Sequence, residues 1–318
     1  MTVFPPTDFI FPVWGAQHTA LLLDYALPSL LAAENLPFWA EAIPSRLIFY
    51  ACETAQKALN TYFQACSDLP AQVLFRPLPP EQERLPSPIR RYYRASQAYQ
   101  RAITEANCSG HALIALTPDL ILAQDCLKQL QAQCQRETEV LLLAGLRLSF
   151  ESAAPLLEKW RQGKQLCISS QELVHLLRQH MHPSLQAAFM DAEQFAVLPS
   201  LTAEWLSEQH FLVRGYHLHP LYFRHPLPYL HTDLESYFPT LDGRYLQHYA
   251  RIGTAGLQIV QDSSIMAISF GFNQHPPLQT VPLSALERQR LIHGFGQNNC
   301  EPVHRWFYEH PIVFATTP

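Results

Sequence analysis

The sequence is short of positive charge and has no long apolar run. Only 22 of its 318 residues are Lys or Arg, without long clusters, and the net charge is −5. The sequence therefore does not predict non-specific electrostatic binding to nucleic acid phosphates. No apolar stretch reaches the ~20 residues needed to cross a bilayer, and the first residues, Met1 to Pro6, lack the basic and apolar regions of a secretory signal. We expect a cytosolic protein with no membrane span and no nucleic acid partner.

Cysteine and glycine are scarce, and the common catalytic fingerprints are missing. The seven cysteines are scattered, odd in number and never in C-x-x-C spacing, which favours reduced thiols over disulfides or a zinc site. The chain contains no G-x-x-x-x-G-K-[ST], G-x-G-x-x-G, G-x-S-x-G or H-E-x-x-H, so kinase, dinucleotide-binding and serine-hydrolase functions lack their motifs. The 11 glycines form no flexible linker, which favours one continuous domain.

Short apolar runs alternate with helical periods over the first 150 residues. This pattern predicts an α/β fold whose mostly parallel sheet is flanked by helices. The predicted strands are Phe9–Val13, Leu47–Ala51, Gln72–Phe75, Ala112–Leu116 and Val140–Ala144. The predicted helices are Ala16–Ala33 with a kink at Pro28, Glu53–Asp68, Ile89–Asn107 and Ile121–Gln135. Beyond residue 150 the pattern weakens, and helices Ala154–Gln162 and Gln171–His180, the second capped by Ser169 or Ser170 with Glu172, begin an α+β elaboration.

The strand Ala112–Leu116 ends on a carboxylate, that of Asp119. Ligands of open α/β sheets bind outside the carboxyl ends of the strands, where such an acid can hold a cation or a sugar hydroxyl. Asp is also a preferred N-cap, and it could simply begin the helix Ile121–Gln135. The residues of this stretch alone favour capping.

Two further groups of residues could carry chemistry. His217 and His219 lie two apart, so on an extended chain both imidazoles point to one side and could share a metal. Asp242 and Asp262 lie in acidic turns that turn chemistry alone can explain.

The Pro-rich stretch from Pro77 to Pro88 predicts a surface loop that could act as a lid. Arg90, Arg91 and Arg94 follow it at a helix start, where an anionic ligand would offset their conflict with the helix dipole. A solvated basic face is the favoured explanation of these three arginines.

Several segments together carry a resemblance to a known family. They are Phe11-Pro-Val-Trp14-Gly15, Leu23 to Leu31, Asn35-Leu-Pro37, Thr117-Pro-Asp119, Gly145-Leu-Arg147, Ser170 to Leu173, His217 to Pro220, Thr240 to Gly243 and Asp262-Ser263. With these segments the chain resembles bacterial GT-A-type glycosyltransferase-like proteins, which have the nucleotide-diphospho-sugar transferase fold. The resemblance implies a GT-A-like, Rossmann-like half over residues 1–150 that binds the nucleotide-sugar, and a C-terminal elaboration over residues 151–318.

The resemblance also implies roles for individual residues. Trp14, Gly15 and Arg147 would bind the nucleotide, Asp242 and Asp262 would be catalytic, and Asp119 with His217 and His219 would bind a divalent cation, Mn²⁺ or Mg²⁺. In the D-x-D motif of the family, Asp119 takes the place of the last acid and Thr117 stands where the first Asp would be. Losing one hard oxygen ligand weakens such a site, although a histidine can compensate for Mn²⁺.

Two functions of different class follow. One is transfer of a sugar from a nucleotide-sugar donor to an acceptor, and the other is a catalytically inactive GT-A-like binding or scaffold protein. Thr117 favours the scaffold, whereas the acids and histidines of the C-terminal part favour the transferase, which we place first. The transferase predicts that Trp14, Asp119, Arg147 and the two histidines converge on one cleft. The donor, the acceptor and the oligomeric state stay open.

Overall fold

The computed structural model describes residues 4–66, 69–81, 83–84, 87–228, 240–251, 253–273 and 279–315. Its strands are β1 Thr7–Val13, β2 Ser45–Ala51, β3 Gln72–Pro77, β4 Ala112–Ala115, β5 Leu120–Leu122, β6 Val140–Leu143, β7 Arg147–Ser149, β8 Arg161–Gln162, β9 Gln165–Leu166, β10 Phe195–Ala196, β11 Leu201–Trp205, β12 His210–Gly215, β13 His219–Phe223, β14 Leu257–Ile259, β15 Ala267–Gly271, β16 Thr280–Val281 and β17 Ile312–Ala315.

The α-helices alternate with these strands in the first half and dominate the C-terminal end. They are α1 Ala16–Leu21, α2 Leu27–Leu30, α3 Leu36–Ala42, α4 Glu53–Gln64, α5 Ser87–Ser109, α6 Cys126–Gln133, α7 Phe150–Ala153, α8 Ser170–Gln179, α9 Pro183–Gln186, α10 Arg244–Arg251, α11 Ala285–Asn299 and α12 Pro302–Glu309. None of the helices in the described ranges is long and apolar enough to cross a membrane.

A seven-stranded sheet in the order β14-β6-β13-β4-β1-β2-β3 organises the molecule. β1 pairs in parallel with β2 and β4, β2 with β3, and β6 with β14, whereas β13 is antiparallel to both β4 and β6. Six strands therefore run in one direction and β13 runs against them. The prediction of an α/β fold with a mostly parallel sheet flanked by helices is confirmed.

The central strands are buried on both faces because helices cover the sheet. Every residue of β1, β4 and β6 is buried, which explains their nearly unbroken apolar sequences. The charged exception is Asp8 in β1, whose carboxylate accepts two hydrogen bonds from Arg46, at 2.7 and 2.6 Å, and contacts His111 Nδ1 at 3.0 Å. These partners offset the cost of burying the charge.

The first long helical segment is not one regular helix. Between α1 and α2 the turn Leu22–Ala26 is π-helical, and Leu27 N–H donates to Leu22 O, five residues back. Pro28 follows at once and has no N–H with which to continue an α-helical ladder. The wider turn accommodates this missing donor, so the predicted disturbance at Pro28 takes the form of a π-bulge.

The predicted helix Ile121–Gln135 is wrong at its start. Leu120–Leu122 forms β5, which pairs antiparallel with Ala267–Ser269 of β15, and the helix begins only at Cys126. Tertiary contacts hold this segment extended: Leu122 N–H donates to Ser29 Oγ at 3.1 Å, and the buried Asn35 donates to Ala123 O at 2.7 Å. A buried apolar triplet cannot reveal such distant partners.

The second half both completes the main sheet and adds smaller ones. β13 inserts into the seven-stranded sheet and β14 forms one edge of it, β11, β12 and β17 form a three-stranded sheet, and β15 joins β5 and β7. The predicted helix Gln171–His180 is present as α8, with Ser169 and Glu172 forming a capping box. The predicted helix Ala154–Gln162 is instead a 3-10 segment, Ala154–Trp160. The predicted end of the second helix, Asp68, lies outside the described residues.

Candidate active site

The strand order creates a topological switch point at the carboxyl edge of the sheet. The chain places β2 and β3 on one side of β1 and β4 on the other. Connections from β1 and β4 therefore leave in opposite directions, and the ends of these two strands flank the switch point where open α/β sheets bind ligands. Trp14 follows the end of β1, and Thr117 and Asp119 follow the end of β4.

The end of β1 is a half-buried tryptophan followed by a glycine in a positive-φ conformation. Gly15 has φ 77° and ψ 147°, which disfavours a side chain although the space around it is open. The guanidinium of Arg94, from α5, lies 5.7 Å above the Trp14 ring. The predicted nucleotide-binding residues Trp14 and Gly15 thus lie at the switch point, beside a cation.

The end of β4 is held from α5 by Tyr99, whose buried hydroxyl donates to Leu116 O at 2.7 Å. The turn that follows brings Leu120 N–H to Thr117 O at 3.1 Å. Thr117 Oγ1 is buried and has no hydrogen-bond partner among the described residues, and the Asp119 carboxylate likewise has none there. Asp119 does not cap α6, whose N-cap position is Asp125. The capping interpretation of Asp119 is therefore wrong.

His219 begins the antiparallel strand β13, which places it at the carboxyl ends of the neighbouring β4 and β6. Its Nε2 bonds to Ala115 O at 3.2 Å and, because a carbonyl only accepts, must carry the proton. Burial lowers the pKa of His219, although Asp242, the bond to Ala115 and Asp119 oppose that shift. His219 is thus favoured as a neutral imidazole beside two acids.

His217 lies in a bend before β13 and has different partners. Its Nδ1 bonds to the backbone oxygen of Asp242 at 3.1 Å, and its ring centroid lies 4.5 Å from that of His304 on α12. His304 Nε2 bonds in turn to Gly243 O at 3.2 Å. The two imidazoles thus bind backbone oxygens from different elements, and a common direction of the His217/His219 pair stays a prediction.

The charges of two acids from distant parts of the chain affect the pKa of the same two side chains. Burial raises the pKa of Tyr99, and the charges of Asp119 and Asp242 raise it further. The same two carboxylates act on His219. Within the described ranges neither carboxylate accepts a hydrogen bond or forms an ion pair, so both are available to a ligand. Asp119, Asp242, His219 and Tyr99 thus form one cluster at the switch point.

Two predicted site residues have other surroundings. Arg147 begins β7, in a different sheet, and its side chain is exposed. Asp262 follows β14, at the outer edge of the main sheet, and its carboxylate accepts hydrogen bonds from Ser264 N–H, at 2.9 Å, and from Ser264 Oγ. No contact between described residues links either one to the Asp119–Asp242 cluster.

The described residues do not fit the predicted three-ligand metal site. Within the described ranges, no three His, Cys, Asp or Glu side chains are grouped so that they could hold a metal ion. His219 uses Nε2 for Ala115 O, and His217 uses Nδ1 for Asp242 O. Asp119, His217 and His219 therefore do not form a common coordination group.

The basic start of α5 is engaged by the Pro-rich loop. Arg94 donates to Pro79 O at 2.7 Å and to Glu81 at 3.2 Å, and Arg90 donates to Glu83 O at 2.9 Å. These bonds account for two of the three arginines without an anion. Part of the predicted lid, residues 82, 85 and 86, lies outside the described residues.

Three residues of this region were not predicted as site residues. Tyr99 reads as a core position in the apolar period of α5, and His304 lies far from every other site residue in the sequence. Cys52 follows β2, and its Sγ lies 3.2 Å from Thr54 Oγ1. Only the sheet topology brings these three residues to the same edge.

No protein-family model matches the chain, and no curated protein matches its sequence. Among solved structures, residues 1–349 of S. aureus TarS match 45% of this chain and 36% of that chain, with 12% identity and a TM-score of 0.30. The mannosyltransferase PcManGT of Pyrobaculum calidifontis, solved with GDP-Man and Mn²⁺, matches with the same coverage, identity and TM-score. Mouse xyloside xylosyltransferase 1 matches 49% of this chain and 58% of that chain, with 12% identity and a TM-score of 0.30. The chain spans only about a third of the first two, so its function has to be derived from its own site.

Proposed function

We propose that the protein is a glycosyltransferase-like enzyme that binds a nucleotide-sugar at the switch point and transfers the sugar to an acceptor hydroxyl. The observation that carries this proposal is the group of side chains at the end of β4. Tyr99 bonds there to Leu116 O and the half-buried His219 to Ala115 O, and the charges of the Asp119 and Asp242 carboxylates reach both side chains. Carboxylates without a protein partner are strong acceptors for hydroxyl groups. A ligand rich in hydroxyls, such as a sugar or a ribose, matches them.

The neighbouring residues fit the remaining parts of such a donor. Trp14 offers a half-buried ring against which a base can stack. The Arg94 guanidinium beside it could meet a diphosphate only by exchanging its ion pair with Glu81 for the ligand. Thr117 Oγ1 is a buried polar atom whose missing partner a ligand can supply.

The two acids have different tasks in this proposal. Asp119 follows the central strand β4 and accepts a hydrogen bond from a hydroxyl group of the nucleotide-sugar. Asp242 accepts the proton of the acceptor hydroxyl as general base, which typically contributes about 10²–10⁴-fold to a rate.

The proposal is tested by thermal unfolding in the presence of UDP, GDP, CDP or dTDP. One of these nucleoside diphosphates should raise the melting temperature, because a ligand that binds only the folded protein adds about 2.7 kcal/mol at a hundredfold excess over Kd. Asp119→Asn should reduce this shift, since a hydrogen bond to a charged acceptor contributes about 1.5–3 kcal/mol. The matched control is Asp125→Asn at the N-cap of α6, which should bind the ligand like the wild type.

The shift should be recorded with and without Mn²⁺. A shift that needs Mn²⁺ would show that a cation site exists and that it uses residues in addition to those of the Asp119–Asp242 cluster. If none of the four nucleotides shifts the melting temperature under either condition, the proposed transferase function is refuted. The catalytically inactive scaffold protein is then the favoured alternative.

A further inference from the structure

Two histidines from different elements hold the turn that carries Asp242. His217 Nδ1 bonds to Asp242 O at 3.1 Å, and His304 Nε2 bonds to the next carbonyl, Gly243 O, at 3.2 Å. We propose that His217 and His304 are positioning residues that fix this turn so that the Asp242 carboxylate faces His219. The inference rests on the proposed function, in which Asp242 is the general base.

The hydrogen bonds assign opposite tautomers to the two rings. His304 Nδ1 accepts the backbone N–H of Glu301 at 3.1 Å, so the proton of His304 is on Nε2 and is donated to Gly243 O. His217 faces a carbonyl with Nδ1, so its proton is on Nδ1. Neither bond to the turn requires a charged ring, and the centroids of the two rings lie 4.5 Å apart.

The turn is also braced from its C-terminal side. Val303 N–H, in the first turn of α12, donates to Gln247 Oε1 of α10 at 3.2 Å, and α10 begins directly after Gly243. His304 is only 2% exposed, so breaking its bond to Gly243 would leave buried polar groups unpaired. The Asp242 carboxylate has no side-chain partner within the described ranges, and its direction is therefore set by the backbone that these histidines hold.

Exchanges of the two histidines for Asn or Gln can separate positioning from mere packing. The amide nitrogen of Asn can replace an imidazole Nδ1, and that of Gln can replace Nε2. His217→Asn therefore keeps the donor to Asp242 O, whereas His217→Gln displaces it. At His304 the pattern is reversed: Gln keeps the donor to Gly243 O and loses the acceptor for Glu301 N–H, whereas Asn does the opposite.

The kinetic experiment uses the nucleotide-sugar whose diphosphate raises the melting temperature, and it follows release of that diphosphate. We expect kcat to fall about 10- to 100-fold in His217→Gln and His304→Asn, because a misplacement of about 1 Å can cost that much. His217→Asn and His304→Gln should stay within about threefold of the wild type, and Kd for the free diphosphate should change less than about twofold in all four, since the bonds to the turn do not contact the nucleotide. Equal kcat for Asn and Gln at both positions would overturn the proposal.

The second experiment does not depend on catalysis. The ¹⁵N chemical shifts of the imidazoles in the wild-type protein should show the Nδ1–H tautomer at His217 and the Nε2–H tautomer at His304. A nucleotide-induced shift in melting temperature combined with the Nε2–H tautomer at His217 would refute the positioning role alone. The expected tautomers without any nucleotide effect would refute the proposed function, and the positioning role with it, while confirming the two bonds to the turn.

Discussion

Cys52 differs from the half-buried Cys167 and Cys300 in the direction in which its pKa is shifted. Burial by itself would raise its pKa, but the Thr54 side chain and the backbone N–H groups of Ala55, Gly15 and Thr54 outweigh that effect, and the pKa is lowered. Cys167 is similarly half-buried without such donors, and burial raises its pKa. The thiolate is the reactive form of cysteine, so the two residues should differ in reactivity.

We expect Cys52 to react with iodoacetamide before Cys167 at neutral pH. The sites can be identified by mass spectrometry of the labelled peptides after a short exposure. Cys52→Ala should remove the fast label and Cys167→Ala should leave it in place. Faster labelling of Cys167 in the folded wild type would contradict the hydrogen-bonded environment of Cys52.

Single residues also show how much of the site could be predicted from the sequence. Asp119 could be singled out because it is a carboxylate that follows a buried strand, whereas Asp242 was predicted only through the resemblance to GT-A-type proteins, since turn chemistry alone can explain it. Tyr99 and His304 were not, because their importance lies in bonds to Leu116 O and Gly243 O, which belong to other elements. The assigned roles of Asp119 and Asp242 stay predictions until a ligand is tested.

At the scale of elements, β15 passes so close to α9 that no side chain fits between them. A Cβ at Gly271 would lie 2.5 Å from His182 Cδ2, and His182 is 8% exposed, with Nδ1 accepting Ser184 N–H at 3.1 Å. The imidazole cannot move away without losing the bond that caps α9. Glycine is therefore required at position 271 because His182 leaves no space for a side chain, and not because of the backbone conformation at that position.

Gly271→Ala should lower the free energy of unfolding by about 1–3 kcal/mol, the usual cost of overpacking. Gly145→Ala is the matched control, since nothing lies within 4 Å of a Cβ there. Chemical denaturation of both variants measures the difference. Equal unfolding free energies of the two variants would show that the His182 imidazole can move aside.

The elements that could be predicted from the sequence are those whose pattern of apolar residues lies within the element itself. The five predicted strands of the main sheet are present because each is an apolar run with its own boundaries. β5 was assigned to a helix since only Ser29, Asn35 and the distant β15 keep it extended. The insertion of β13 against the direction of its neighbours could not be predicted either, because strand direction is decided by pairing and not by composition.

At the scale of the whole molecule, buried neutral histidines make stability depend on pH. Burial, followed by the nearby His217, lowers the pKa of His304 from 6.5 to about 4. Below pH 6.5 the unfolded chain binds a proton at this residue and the folded protein does not, so acid favours unfolding. The contribution of His304 is complete above pH 6.5 and is lost as the pH falls towards 4; the lowered pKa of His219 acts in the same direction.

Between pH 8 and pH 5 we expect His304 to account for about 2 kcal/mol of the loss in unfolding free energy. In His304→Gln this part of the pH dependence should disappear, because glutamine does not titrate. His293→Gln, at an exposed position of α11, should keep the wild-type pH dependence. Urea titrations at several pH values give the curves, and parallel curves for the wild type and His304→Gln would contradict the prediction.

The position of β13 also has a consequence for the order in which the protein can be assembled during synthesis. β4 and β6 are complete once residue 143 has been made, but the strand that joins them ends at Phe223. Until then each presents an unpaired edge, of the kind that invites pairing with other chains. The nascent chain therefore passes through a stage in which the centre of its sheet is open, and because closing it needs contacts far apart in the sequence, slow folding and aggregation are the risks of that stage.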